Sequence, residues 1–421
     1  MIRESKIHQF DLIMSLSSAV DLVSQVVANH HKRTAYIASS IAAELGLSKE
    51  EQNDLVIAGA LHDIGAISLK ERLDTLNFEI EDPHRHAELG YLLIKTFEPF
   101  SKIALLVRSH HVPWSEGNGS EFRGKPVPMG SHILHLADRV DVLINIQKEV
   151  LGQVKDIYNK IENHAGKMFV PELVEAFKSL TTKEYFWLDA VAPSIDQILS
   201  RQVRLATIGL DLDGLLSLAK LFSQVIDFRS RFTSTHSSGV AVSAEVLARL
   251  VGFSERECQQ MKIAGYLHDL GKLAVPVEIL EKPGKLTEDE FNVVRSHTFY
   301  TYRILEPISA LDVINTWASF HHERLDGTGY PFHHKGQDLS LGSRIMAVAD
   351  VFTAITEDRP YRKGMASNKA LQVLQKMADN SVLDPNIVSL LRLHFDEINS
   401  LRIATQKTSV EDYQKFMESL D

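Results

Sequence analysis

The sequence predicts an all-α protein made of two tandem helical domains, and three observations carry that prediction. Apolar residues recur at spacings of three and four through long stretches, the pattern of amphipathic helices, and alternating runs are few. Gly (22) and Pro (13) are sparse for 421 residues and gather in the loops 112–130, 276–284 and 325–342. The chain also repeats itself once.

The helical period is plainest in IASSIAAELGL and DLVIAGALHDIG near 37–65, in VSAEVLARLVGF (242–253) and in NKALQVLQKMA (368–378). No strands alternate with these helices, which excludes a parallel α/β sheet. The repeat pairs LVIAGALHDIGAI (55–67) with MKIAGYLHDLGKL (261–273), and His30 with His236. RHAELGYLLI (85–94) pairs with SHTFYTYRIL (296–305), and RSHHVP (108–113) with ASFHHERL (318–325). HLADRVDVL (135–143) pairs with AVADVFTAI (347–355), and FVPELVEAF (169–177) echoes LDPNIVSLL (383–391). The repeated unit, roughly 190–200 residues, is the size of a domain. The expected domains are therefore 1–200 and 201–421. The boundary near 195–215 reads as a helical linker, even as one connecting helix.

Composition narrows the function. Hydrophobic residues make up 44% and charged residues 24%, ordinary for a soluble protein. The net charge of -10 argues against coating a nucleic-acid backbone, but not against a small anion held by local cations or metals. The single cysteine, Cys258, rules out an intramolecular disulfide and a thiolate metal cluster. With no signal-peptide core and no long apolar run, the expected setting is cytoplasmic, without a membrane partner.

Each copy carries the same ordered set: His, His-Asp, His, His-His, Asp. In the second copy these are His236, His268, Asp269, His297, His321, His322 and Asp350; in the first, His30, His62, Asp63, His86, His110, His111 and Asp138. Imidazole nitrogens and carboxylate oxygens suit Mn, Fe, Ni or Zn. Seven such groups exceed one tetrahedral ion and fit two ions sharing a carboxylate. A single histidine in such a chain is usually an ordinary surface or core residue. A set retained in order while the rest of the two copies drifted apart is not.

This order resembles the HD superfamily of metal-dependent phosphohydrolases, and the second copy resembles its HD-GYP branch of cyclic dinucleotide phosphodiesterases. HDLGK (268–272) resembles the motif HDxGK, and HHERLDGTGYP (321–331) matches HHExxDGxGYP throughout. KPG (282–284) and RPYR (359–362) match two further segments. The resemblance, over about 230–400, implies one metal at His236, His268, Asp269 and Asp350 and another at His297, His321 and His322, with Asp269 bridging. Iron or manganese is the expected metal, and nickel is the third candidate. It implies a hydroxide between the ions as nucleophile, Asp269 and Lys272 as the catalytic pair, and Lys272, Tyr330, Arg359 and Arg362 against the substrate. Two such cations balance charge on phosphorus, and Lys and Arg add charge-assisted bonds to its oxygens.

The chain also departs from the family. Phe232 stands where some members have a carboxylate for a third metal, so two metals are expected. Thr353 stands where members commonly have Asp, which bears on the contacts to guanine or the second phosphate and admits 3′,3′-cGAMP beside c-di-GMP. In the first copy, Ala66 replaces Lys272, HHVPWSEGNGS replaces the Gly-Tyr-Pro loop, and Gln147 and Val150 replace the arginines. That copy resembles an HD domain without cations for a diester; if active, it is expected to release a terminal phosphate and not to open a ring.

The function expected from the resemblance is hydrolysis of a cyclic dinucleotide second messenger to the linear dinucleotide. Two alternatives stay open at this point: a regulatory module that binds the cyclic dinucleotide, and an HD-type nucleotidase. The expected partners are the small molecule, and a second copy or a signalling protein.

Overall fold

The computed structural model describes residues 5–22, 29–66, 68–80, 82–203, 205, 207–227, 235–358 and 363–418. Phe232, Arg359 and Arg362 lie outside the described residues. The chain divides into two compact units, His8–Thr207 and Ile208–Ser419, the latter joined by residues 5–7.

The first unit holds α1 (Gln9–Asp21), α2 (His30–Glu44), α3 (Lys49–Leu61), α4 (Leu69–Thr75), α5 (Pro83–Ile94), α6 (Ser101–Arg108) and α7 (Met129–Leu143). It continues through α8 (Val154–Glu162), α9 (Pro171–Thr181), α10 (Glu184–Ala190) and α11 (Ile195–Gln202). The second unit holds α12 (Leu212–Asp227), α13 (His236–Val251), α14 (Glu255–Leu267), α15 (Val277–Leu280), α16 (Glu288–Leu305) and α17 (Asp312–Ser319). It ends with α18 (Leu341–Thr356), α19 (Ser367–Asp379), α20 (Pro385–Leu393) and α21 (Phe395–Glu418). The described strands are short: β1 (Ser5–His8) pairs with β4 (Thr207–Leu210), and β2 (Glu121–Phe122) with β3 (Lys125–Pro126). Among the described residues no helix is long and apolar enough to cross a membrane.

The linker corrects one expectation. It is helical at its ends, in α11 and α12, but β4 interrupts it. Val203 and Thr207 are β-branched and Gly209 is a poor helix former, so this stretch favours extended backbone.

The duplication is structural. The pairs α2 and α13, α3 and α14, α5 and α16, α6 and α17, and α7 and α18 occupy matching places in the repeat. Even the caps recur: Ser48 with Glu51 opens α3 as a capping box, and Ser254 with Glu257 opens α14 the same way. In each unit one nearly buried helix forms the axis. α2 packs on α3 and α7, and α13 packs on α14, α18 and α21. The first residue of that helix is the first histidine of the set, His30 or His236.

Candidate metal centres

In the second unit the helices deliver their ligands from their ends. His268 caps the C-terminus of α14 and Asp269 follows it; His321 and His322 follow α17. His236 opens α13, His297 lies within α16 and Asp350 within α18. Gly271, in the HDLGK turn, lets α16 come close: a Cβ there would stand 1.9 Å from the His297 carbonyl oxygen. Gly65 does the same in the first unit, where a Cβ would stand 2.1 Å from the His86 carbonyl oxygen.

All seven predicted side chains converge. His236 Nε2 is 3.1 Å from Asp350 Oδ1, and His268 Nε2 is 3.2 Å from Asp269 Oδ2. His297 Nε2 is 3.5 Å from Asp269 Oδ1 and 3.3 Å from His321 Nε2. His322 Nδ1 lies 4.0 Å from Asp350 Oδ2. Asp269 thus turns one oxygen to the His236–His268 side and the other to His297, the placement of a bridge.

Hydrogen bonds set the ligand atoms. Nδ1 of His268, His297 and His321 donates to the carbonyls of Gly265, Val294 and Ala318, at 2.7, 2.6 and 2.6 Å. A carbonyl only accepts, so Nδ1 carries the hydrogen and Nε2 offers its lone pair to the centre. Burial holds His321 well below the usual imidazole range and His297 at about 3, the neutral form that binds metal. Burial resists ionisation of Asp269, but interaction with His268 and Lys272 overcomes it and holds the carboxyl well below its usual range.

The fit to metal rests on orphaned atoms. His268 Nε2 and Asp269 Oδ1 are buried without a hydrogen-bond partner. In the first unit the same holds for Nε2 of His30, His62, His86, His110 and His111 and for Oδ1 of Asp63 and Asp138. So many buried polar atoms facing one another would be costly unless a cation satisfied them. The spacings agree: bonds of about 2.0–2.1 Å to nitrogen imply tetrahedral edges of roughly 3.3–3.4 Å. In the first unit His86 Nε2 and His110 Nε2 lie 3.2 and 3.5 Å from Asp63 Oδ1, and His30 Nε2 lies 3.4 Å from Asp138 Oδ1. His62 Nε2 stands 3.5 Å from Asp63 Oδ2, and His111 Nδ1 3.9 Å from Asp138 Oδ2.

The remaining predicted residues in the described chain sit at the mouth of the second centre. Lys272 Nζ lies 2.6 Å from Asp269 Oδ2. The Tyr330 ring stands 5.0 Å from that of His322, with the Arg295 guanidinium 5.3 Å from the Tyr330 ring centre. Buried Glu323 holds this loop, accepting hydrogen bonds from the backbone N–H of Phe332 at 2.7 Å and of His334 at 3.0 Å.

Residues that the motifs did not single out complete the centres. In the first unit Asp141 accepts from His30 Nδ1 at 2.6 Å and pairs with Arg33. In the second, the equivalent of Asp141 is Thr353, fully buried with an orphaned hydroxyl. Glu357, one turn later, holds His236 Nδ1 at 3.1 Å and accepts from Gln406 Nε2 of α21 at 3.2 Å. Thr353 is thus a buried residue packed near Gly239 of α13, and Glu357 takes the place of Asp141 on the first histidine. The first centre also has a buried cation at a position the motifs do not mark: Arg139 lies on Asp138 Oδ2, with Nη2 at 2.6 Å. The i,i+3 pairs His30–Arg33 and Asp138–Asp141 were visible signals for the first device; Arg139 and Glu357 had none.

Comparison with known proteins finds one family match within each unit. The family described as HD domain matches residues 27–143 and, in a second form, 220–387. The chain is 30% identical over 410 residues to 3′3′-cGAMP-specific phosphodiesterase 1 of Vibrio cholerae, covering 93% of each. It is 28% identical over 455 residues to 3′3′-cGAMP-specific phosphodiesterase 3 of that organism, covering 94% of this chain and 98% of the relative. A cyclic di-GMP phosphodiesterase of Pseudomonas aeruginosa is 41% identical over 179 residues, 42% of this chain and 41% of its own. The crystal structure of the cyclic GMP-AMP-specific phosphodiesterase V-cGAP3 of V. cholerae is 25% identical with a TM-score of 0.66, covering 93% and 98% of the two chains.

Proposed function

The chain belongs to the HD-GYP family of HD-domain phosphohydrolases, and on that premise we propose that its second unit opens 3′3′-cGAMP to the linear dinucleotide. The observation that carries the reading is the second centre itself: seven nitrogen and oxygen ligands converge, and a lysine stands on the bridging carboxylate at an accessible mouth. The choice of 3′3′-cGAMP over c-di-GMP is supported by two relatives specific for 3′3′-cGAMP that are matched across both units.

The side chains fit two divalent transition ions, iron or manganese first and nickel next, held as His236, His268, Asp269, Asp350 and as Asp269, His297, His321, His322. Such ions supply positive charge to phosphoryl oxygens and lower the pKa of a water between them. The protein's own part is positioning. Asp269 joins the two halves, and Glu357 and the helix carbonyls fix the imidazole rings. Lys272, 20% exposed beside Asp269, offers its ammonium to a non-bridging oxygen as charge builds. Tyr330, with Arg295 against it, gives a flat surface next to His322 on which a base can rest. Arg359 and Arg362 are proposed as the outer phosphate clamp on the match of their motif.

The test is to incubate metal-loaded protein with 3′3′-cGAMP, c-di-GMP and c-di-AMP and resolve the products by chromatography. Fastest conversion of 3′3′-cGAMP to a linear dinucleotide is expected. Binding without turnover, or turnover of mononucleotides alone, would overturn the reading in favour of a binding module or a nucleotidase.

A further inference from the structure

The two centres share ligands but differ in access. In the second, the His322 side chain is 31% exposed and Lys272 stands beside the ligands. In the first, every one of the seven ligand residues is 4% exposed or less. Asp63, His86, His110 and His111 bring their donor atoms within 4.8 Å of one another, all four buried. The matching four in the second unit, Asp269, His297, His321 and His322, include one that reaches the surface, whereas none of these four does; a catalytic ion keeps a position open and a structural ion does not.

Arg139 closes what is left. Its Nε and Nη2 donate to Asp138 Oδ2 at 3.1 and 2.6 Å. Nη2 also donates to the carbonyl of Thr75 at 2.7 Å, and Nη1 to those of Asn77 and Phe78. The guanidinium has five N–H donors in a fixed fork, and this arrangement engages them on one carboxylate and one turn. The turn after α4 is thereby tied to a ligand of the centre. In the second copy the matching residue is Val351, which offers no such tie.

We propose that the first unit holds a closed, structural metal centre, with Arg139 as the strap that seals it. The donors come from the seven buried imidazoles and carboxylates, Asp138 among them, a set that suits divalent ions such as Zn²⁺. With every donor buried and Asp138 held by Arg139, no donor is left open to a phosphate ester, so the centre stabilises its own unit and turns over no phosphate ester. The inference stands on the first unit's side chains and not on the activity of the second.

The experiment uses the full chain. Metal content, the rate of stripping by a chelator and the melting temperature are measured for wild type, His110→Ala and Arg139→Val. His110→Ala should lower the metal content and the melting temperature, while opening of 3′3′-cGAMP persists. Arg139→Val keeps all ligands and takes the side chain of the second copy. It should raise the stripping rate of the first centre about tenfold or more, as loss of a group bonded to a ligand does elsewhere. Unchanged metal content in His110→Ala would mean that no ion binds there. An unchanged stripping rate in a folded Arg139→Val protein would remove the strap. Loss of phosphomonoester hydrolysis in Asp63→Ala would show an open catalytic site and overturn the proposal.

Discussion

Nδ1 of His236 lies 3.1 Å from both carboxylate oxygens of Glu357, and this pair does in the second unit what His30 and Asp141 do in the first. The exchange is concerted. Thr353 replaces Asp141, and Gly239 replaces Arg33, the cation that held Asp141. At Gly239 a Cβ would come within 2.7 Å of Gln406 Nε2, so the missing side chain is the space through which α21 reaches Glu357. Glu357→Ala should weaken metal retention in the second centre by about 10–100-fold. Adding Thr353→Asp should restore much of it, because Asp141 performs this task from that position. Dialysis against graded chelator followed by metal analysis reads both; equal retention in wild type and Glu357→Ala would remove Glu357 from the device.

Lys272 separates rate from metal content. Its ammonium lies 2.6 Å from Asp269 Oδ2, and burial, though it opposes charge, is outweighed there by interaction with His268 and Lys272. Lys272→Ala leaves the seven ligands in place and removes one stabilising charge from the transition state. Turnover should fall roughly 10²–10³-fold with the ion count kept. If the ions are lost in proportion to the rate, Lys272 serves Asp269 and not the phosphate.

Glu323 should act on substrate affinity. Its carboxylate accepts the N–H groups of Phe332 and His334 and so fixes the loop that carries Tyr330. Glu323→Leu leaves two backbone donors without their acceptor, at about 1–3 kcal/mol for each buried group. The loop should loosen, KM for the cyclic dinucleotide should rise, and kcat at saturation should change less. A kcat loss at constant KM would place Glu323 in the chemistry instead.

How much of this was legible depends on where the information lies. The helices, the duplication and both ligand sets are written in local spacing: periodicity, a His-Asp pair after a helix, a His-His pair after another. The structure brings every described ligand to the place that pattern implies. Burial was not legible, because identical ligand sets form an open centre in one unit and a sealed one in the other. That difference turns on Arg139 against Val351, one side chain that meets a turn some sixty residues earlier in the chain. Glu357 was hidden for a similar reason: its meaning depends on Gln406 arriving from α21, a contact between positions far apart in sequence. The linker was misjudged where β-branched residues prevailed over the helical pattern around them.

The glycine after the His-Asp pair gives the last prediction, and it tests the two centres with one substitution. Gly271→Ala places a methyl 1.9 Å from the His297 carbonyl oxygen and 2.7 Å from the Thr301 nitrogen, both backbone atoms of α16 that no rotamer can move. The same shift would strain the bond from the Gly271 N–H to Thr301 Oγ1, now 2.9 Å. α16 must retreat, and His297 retreats with it, out of reach of Asp269 Oδ1. Overpacking of this kind costs about 1–3 kcal/mol or more. Gly271→Ala should therefore lower the melting temperature, release metal from the second centre and stop ring opening together. Gly65→Ala meets the same clash against His86 and α5 in the first unit. It should destabilise that unit and release its metal while ring opening continues. Thermal unfolding, metal analysis and product chromatography on the two variants decide the matter. Ring opening that survives Gly271→Ala with metal retained would mean that α16 does not need this close approach to deliver His297.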